Sequence, residues 1–216
     1  MRSAVAAFAL AAYLAGAPSE EITFTAASVN VAEPGAPVKI KVLRWSTEDE
    51  LRPIVTALAS PPAQPSDVAR ANAAAAGRGR AGAGRGRGRG GAAAAPLKPI
   101  DAFAAALRRA PTVGYIWTSD ITGYSIKYAW HSPLPDGRTR VVLASDRRLG
   151  AYGAAWKPTP PAAETDYAFT LIELRVGPNG TLEGKTSLTA KIAVEPDTKT
   201  VALEDYASAL KSLASK

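Results

Sequence analysis

The chain has 216 residues, 26 basic and 19 acidic, for a formal net charge of +7, with no cysteine, one methionine and one histidine. The missing thiol excludes disulfides, thiolate metal sites, a cysteine nucleophile and a lipid-modified cysteine, and a single histidine gives no basis for a zinc site. All the excess charge lies between Val68 and Pro99, where Arg70, Arg78, Arg80, Arg85, Arg87, Arg89 and Lys98 meet no acid, so the remainder is neutral and the basicity belongs to one segment.

Met1-Arg2, an apolar run of 11 residues from Ala4 to Leu14, and the small residues Ala15-Gly16-Ala17 have the layout of a signal peptide over residues 1–17. The run is too short for the roughly 20 apolar residues of a membrane-spanning helix. The expectation is export to the periplasm or beyond, with no stable membrane span after processing. Pro18 restricts the adjacent bond, so the cleavage point stays open. The wealth of alanine, glycine, proline and arginine reads as the coding bias of a high-GC bacterium.

Ile22 to Ala26 alternates apolar and polar, and Val29 and Val31 continue in the opposite phase, which predicts a strand bent near Ala27. Val38 to Val42 alternates strictly and predicts its hairpin partner. Thr47 followed by Glu50 is a capping box, and Leu51, Ile54, Val55 and Leu58 then share one helical face. Pro53 falls past the first turn and predicts a kink or a helix restarting there. Residues 61–99 hold prolines, alanine runs and an Arg-Gly repeat with almost nothing large to bury, which predicts a disordered insertion. Arg78, Arg80, Arg85, Arg87 and Arg89 are its candidate anion contacts. Arg-Gly tails that bind RNA interleave Phe or Tyr, and here there are none, so nucleic acid is not the expected partner. Ile100, Phe103 and Leu107, with Pro99 before them and Pro111 after, predict a second short helix.

Strands follow to the end. Tyr124, Ile126, Tyr128 and Trp130 are expected on one face of a single strand, and Pro135-Asp136-Gly137 forms a turn. The next strand is apolar on both faces, with Val141 and Leu143 opposite Val142 and Ala144, and so is expected to be covered twice. Tyr167 to Val176 predicts one long strand, Pro178-Asn179-Gly180 a hairpin, and Leu182 to Val194 a long partner strand bent at Gly184. Thr200 to Glu204 returns from a second turn, and residues 207–216 are expected as a frayed helical tail. The whole reads as one α+β domain over residues 18–206, mainly antiparallel β, with about eight strands in an open barrel or sandwich and two short helices after the second strand.

Arg44 to Thr47, Val113 to Ile116, Pro133 to Gly137, Val142 to Arg147, Phe169 to Leu174 and Glu183 to Lys185 together resemble a group of uncharacterised secreted bacterial proteins. The likeness covers residues 20–206. It implies export and a single domain; members of that group join the two helices directly, so the Arg-Gly segment is a departure of this chain, and the resemblance carries no known activity.

No cofactor is indicated. His131, beside Ser132 and near Asp136 and Asp146, lacks the nucleophile elbow and oxyanion loop of a hydrolase and reads as structural. Asp146, Arg147 and Arg148 read as an ion-paired strand end before an anion site. Glu173 interrupts an apolar strand and belongs either at a sheet rim or half-buried with an Arg or Lys. Tyr115, Trp117, Tyr124, Tyr128, Trp130 and Trp156 suit either sheet packing or the lining of a ligand cavity. Three functions stay open: a non-enzymatic envelope domain binding a small ligand, an envelope component or a protein; a hydrolase using acidic residues; and a tether to anionic polymer through the Arg-Gly segment.

Overall fold

The computed structural model describes residues 21–59, 97–119, 122–151, 153, 155–160, 162–197 and 199–215. The expected signal peptide, and Arg78, Arg80, Arg85, Arg87 and Arg89 of the insertion, lie outside the described residues. The described chain is mainly antiparallel β with two helices.

The strands are β1 (Ile22–Ser28), β2 (Pro37–Val42), β3 (Gly114–Trp117), β4 (Tyr124–Pro133), β5 (Thr139–Ser145), β6 (Leu171–Val176), β7 (Leu182–Thr186), β8 (Ile192–Glu195), β9 (Thr200–Leu203) and β10 (Lys211–Ser215). Eight close into a barrel in the order β1-β10-β7-β6-β5-β4-β3-β2, with every neighbour antiparallel. The barrel is therefore a closed meander with two excursions: helices α1 (Glu48–Ala59) and α2 (Pro99–Arg109) between β2 and β3, and the separate β8–β9 hairpin between β7 and β10.

Alternation puts Phe24, Ala26, Val38, Ile40, Val42, Ile116, Ile126, Leu143, Ile172, Leu174 and Leu213 inside. An eight-stranded barrel is just wide enough for such side chains to fill it. A second core lies outside the wall, where Ile54, Phe103 and Leu107 of the helices and Ile192, Val201 and Leu203 of the hairpin pack on Tyr128, Val142, Ala144 and Leu171. That explains β5: Val141 and Leu143 face the interior while Val142 and Ala144 face the helices, all at 2% exposure or less.

The turns follow their residues. Gly137 and Gly180 take φ of +79° and +76°, a region open to glycine at no steric cost. The capping box forms at the head of α1: the Thr47 amide donates to Glu50 Oε2 at 2.9 Å, and the Glu50 amide donates to Thr47 Oγ1 at 3.4 Å. Pro53 neither restarts the helix nor ends it. Its ring is exposed, and the carbonyl that loses its donor belongs to exposed Asp49, where water can replace the bond.

Arg44 grips the same glutamate with two bonds of 2.8 and 2.7 Å, and this holds the Glu50 carboxyl well below its usual range, at about 2. A carboxylate with a depressed folded-state pKa contributes stability above its unfolded value, about 4.3, and loses it as pH falls toward 2. Glu50→Gln should lower stability by roughly 1–2 kcal/mol at pH 7, allowing for partial solvent screening, and by little at pH 2. Urea midpoints at the two pH values check this; an equal loss at both would rule the linkage out.

Four expectations are corrected. The expected tail is β10, which closes the barrel by pairing with β1 on one side and β7 on the other. Leu182 to Val194 is two strands in two sheets, because the chain turns out of the barrel after Thr186. Tyr167 to Thr170 lies outside the ladder, and β6 begins at Leu171. The face shared by Tyr124, Ile126, Tyr128 and Trp130 is broken by a register shift between Ile126 and Tyr128.

Candidate functional site

The shift in β4 decides where the aromatic residues go. Before it, Tyr124 and Ile126 point into the barrel; after it Ala129 takes the interior position, and Tyr128 and Trp130 point outward. An added residue reverses side-chain phase because the strand period is two. The six candidate ligand residues are dispersed, and the shift is what parts Tyr124 from Tyr128 and Trp130. Tyr124 fills the interior and accepts a bond from the Gly150 amide at 3.0 Å. Tyr115 and Trp117 stand on the open outer wall, 39% and 42% exposed. The expectation of one cavity lined by all of them fails, and Trp156 is packed in the interior core.

Tyr128, Trp130 and Glu173 do converge, on the outer wall beneath β8–β9. Tyr128 is fully buried, and its hydroxyl accepts from the Val201 amide at 3.4 Å; burial pushes its phenol well above the ordinary value. Trp130 is half-buried and floors a cleft of about 680 Å³ between α1 and the hairpin. Leu51, Val55, Ala59 and Val194 supply apolar walls, Glu48, Arg52, Thr56 and Lys199 a polar rim, and Thr200 a buried polar lining residue.

Behind the cleft runs an ionic network. The register pairs Glu173 with Val142 and places Arg140 two residues along the same outer face. Arg140 Nη1 donates to Glu195 Oε2 at 2.7 Å and Nη2 to Glu173 Oε2 at 3.3 Å. Its Nε lies 2.9 Å from Glu173 Oε1, an ion contact that falls outside hydrogen-bond alignment. The Leu203 amide donates to Glu173 Oε2 at 3.3 Å. Burial works against the Arg140 charge, and the neighbouring Glu173 and Glu195 carboxylates outweigh it, so the guanidinium sits above its ordinary value. The guanidinium carbon also lies 5.7 Å from the Trp130 ring centroid. Thus Arg140 ties a barrel residue, a hairpin residue and the cleft floor together.

A parallel tie holds the segment before β10. The Tyr206 ring meets Arg175, 3.9 Å away, and Lys185, 4.6 Å away, while Lys185 Nζ donates to the carbonyls of Tyr206 and Ala207 at 2.5 and 3.0 Å.

Other depressions carry less chemistry. One of about 700 Å³, bounded by Asn30, Thr159, Lys191, Glu204 and Asp205, holds none of the candidate residues, and one of about 440 Å³ between α1 and α2 is lined largely by alanine. Although the former is slightly larger, of these three it is the Trp130 cleft that joins an aromatic floor to apolar walls.

His131 is exposed against Trp45, with ring centroids 4.2 Å apart. It pairs with Val141 near the start of β5, whereas Asp146 follows that strand's far end, and Asp136 is engaged with Arg138 in the turn. The Ser-His-Asp arrangement is not assembled. Arg148 pairs with Glu164 and Arg147 contacts Asp146, as an ion-paired strand end requires. Glu173 is the buried, paired alternative of the two the sequence left open. No three His, Asp or Glu side chains converge as metal ligands among the described residues.

Sequence reasoning missed Arg140, Glu195, Lys199 and Thr200. The available signal was Arg140 itself, a cation opening an apolar strand two positions from the residue that pairs with Glu173. The absence of a match is shared by all three comparisons: no family model, no curated protein and no solved structure matches this chain.

Proposed function

We propose that the protein is an exported, non-enzymatic binding domain that holds a small ligand of mixed polarity in the cleft between α1 and β8–β9. The observation that carries this reading is the half-buried indole of Trp130 at the floor of a mainly apolar cleft of about 680 Å³. Small-molecule sites fall in the range of about 300–1,000 Å³ and combine apolar walls with a few placed polar groups. A flat apolar body would lie on the indole, and a polar end would reach Thr56 or Lys199 at the rim.

Binding is favoured over hydrolysis by what the nearby charges do. Glu173, Arg140 and Glu195 engage one another and a hairpin amide, so they serve the architecture of the cleft. The signal-like residues 1–17 support an exported placement.

Titration with anilinonaphthalene sulfonate, an amphipathic fluorescent probe, tests the cleft. Trp130→Ala should weaken the probe at least about tenfold, equivalent to about 1.4 kcal/mol, while Thr159→Ala, in the separate depression beside Asn30, should leave it unchanged. Equal binding by the parent and Trp130→Ala would overturn the assignment.

A further inference from the structure

The wall of β1, β2 and β3, away from the helices and the hairpin, has its own organisation. Its outward positions form two rows across the strands: Thr23, Lys41, Tyr115 and Ser125 in one, and Thr25, Lys39 and Trp117 in the other. Among the described residues only Leu97, Tyr115 and Trp117 are large apolar side chains left exposed, and two of these stand side by side here. Their ring centroids are 5.7 Å apart, with planes at 40°.

The indole is seated rather than loose. A Cβ placed on Gly123 would stand 3.3 Å from its Cδ1 and Nε1, so the ring edge lies closely over bare backbone at the entry to β4. A rigid wall with two adjoining aromatic rings, exposed hydroxyls on one side and lysines between is built for a ligand that offers ring faces, hydroxyls and sparse negative charge.

We infer that this wall binds an acidic polysaccharide, a chain of pyranose rings bearing carboxylates. The C–H faces of two sugar rings would stack on Tyr115 and Trp117, their carboxylates would meet Lys39 and Lys41, and Thr23 and Thr25 would bond to hydroxyls. Lys39 is exposed and has no acidic partner within ion-pair distance among the described residues, while Lys41 meets Glu21 at 2.8 Å in a solvent-accessible pair that an incoming carboxylate can exchange. Single-stranded nucleic acid also stacks on aromatic platforms, but it brings a phosphate with every base and needs a continuous cationic groove. Here Glu21 stands beside one of the two lysines, which favours the sparser charge of a glycan.

The test is affinity electrophoresis and fluorescence titration of the full chain against polygalacturonate, dextran and oligothymidylate. Because the Arg-Gly segment will attract any polyanion, the deciding reading is the difference between variants that share it. Tyr115→Ala/Trp117→Ala and Lys39→Gln/Lys41→Gln, both on the surface and checked for parental circular dichroism, should each weaken polygalacturonate at least tenfold. Dextran should bind more weakly than polygalacturonate and lose affinity only in the aromatic variant. Parental affinity for polygalacturonate in either double variant would overturn the inference. So would tighter binding of oligothymidylate than of polygalacturonate with loss in the same variants, which would give the wall to nucleic acid.

Discussion

A chain ending at Leu210 should fail to form a cooperative fold, although it lacks only six residues. β10 pairs with β1 through Ala26 to Ser28 and with β7 through Glu183 to Lys185, so its removal opens the barrel and leaves two edge strands where there were none. The loss includes Leu213, fully buried in the interior, and Ser212, whose hydroxyl lies 3.0 Å from that of Thr186. It also strips the Ser215 hydroxyl that accepts the Leu182 amide and returns a bond to the Leu182 carbonyl. Leu213→Ala alone should cost about 2–5 kcal/mol, the range for a large apolar side chain deleted from a tight core. Adding both ladders brings the total toward the whole stability of a domain, about 5–15 kcal/mol. Urea unfolding followed by circular dichroism, with light scattering for edge-to-edge association, measures both effects. A truncated chain that unfolds cooperatively at the parental midpoint would show that the barrel closes without β10.

That result would also mark the limit of what local pattern reveals. β1, β2, β4 and β5 could be read from alternation because each buries one or both faces in place, and the hairpin at Pro178-Asn179-Gly180 announces itself through turn chemistry. Lys211 to Ser215 has a single large apolar residue, and it becomes a strand because two edges, from opposite ends of the sequence, wait for it. Such pairing is decided by topology, which no short window contains. The division of Leu182 to Val194 has the same cause: its phase is continuous, but the chain leaves the barrel ladder after Thr186 for a loop that carries β8 onto the outer core.

The candidate site was half legible for a related reason. Glu173 could be singled out as a carboxylate in an apolar strand, and the need for a basic partner followed from the cost of burying a lone charge. The dispersal of the aromatic residues could not be foreseen, since the irregularity between Ile126 and Tyr128 has no glycine or proline to signal it. One shift of register sends Tyr124 inside the barrel and Trp130 to the cleft. Without it the same residues would have lined one face, as their spacing implies.

Arg140→Leu should be the most damaging single substitution at the cleft, costing about 3–5 kcal/mol, because it strands a carboxylate rather than because it deletes a bond. The Glu173 side chain is 2% exposed and cannot turn to water, whereas Glu195 is 35% exposed and can. A well-packed neutral pair should therefore recover much of the loss. In Arg140→Leu/Glu173→Gln the amide oxygen can still accept the Leu203 amide, and the buried carboxylate that lost its guanidinium is gone. The double variant should be more stable than Arg140→Leu alone, with a coupling energy of at least about 2 kcal/mol in a double-mutant cycle from urea unfolding. Strict additivity would mean that the two residues do not act as a pair. The same cycle separates stability from function. Arg140 is what joins Glu195 of the hairpin to the barrel and lies against Trp130, so the rescued variant should fold well yet bind the amphipathic probe more weakly than the parent. Parental probe affinity in a stable double variant would show that the cleft keeps its shape without the ionic tie, and would leave Arg140 a role in stability alone.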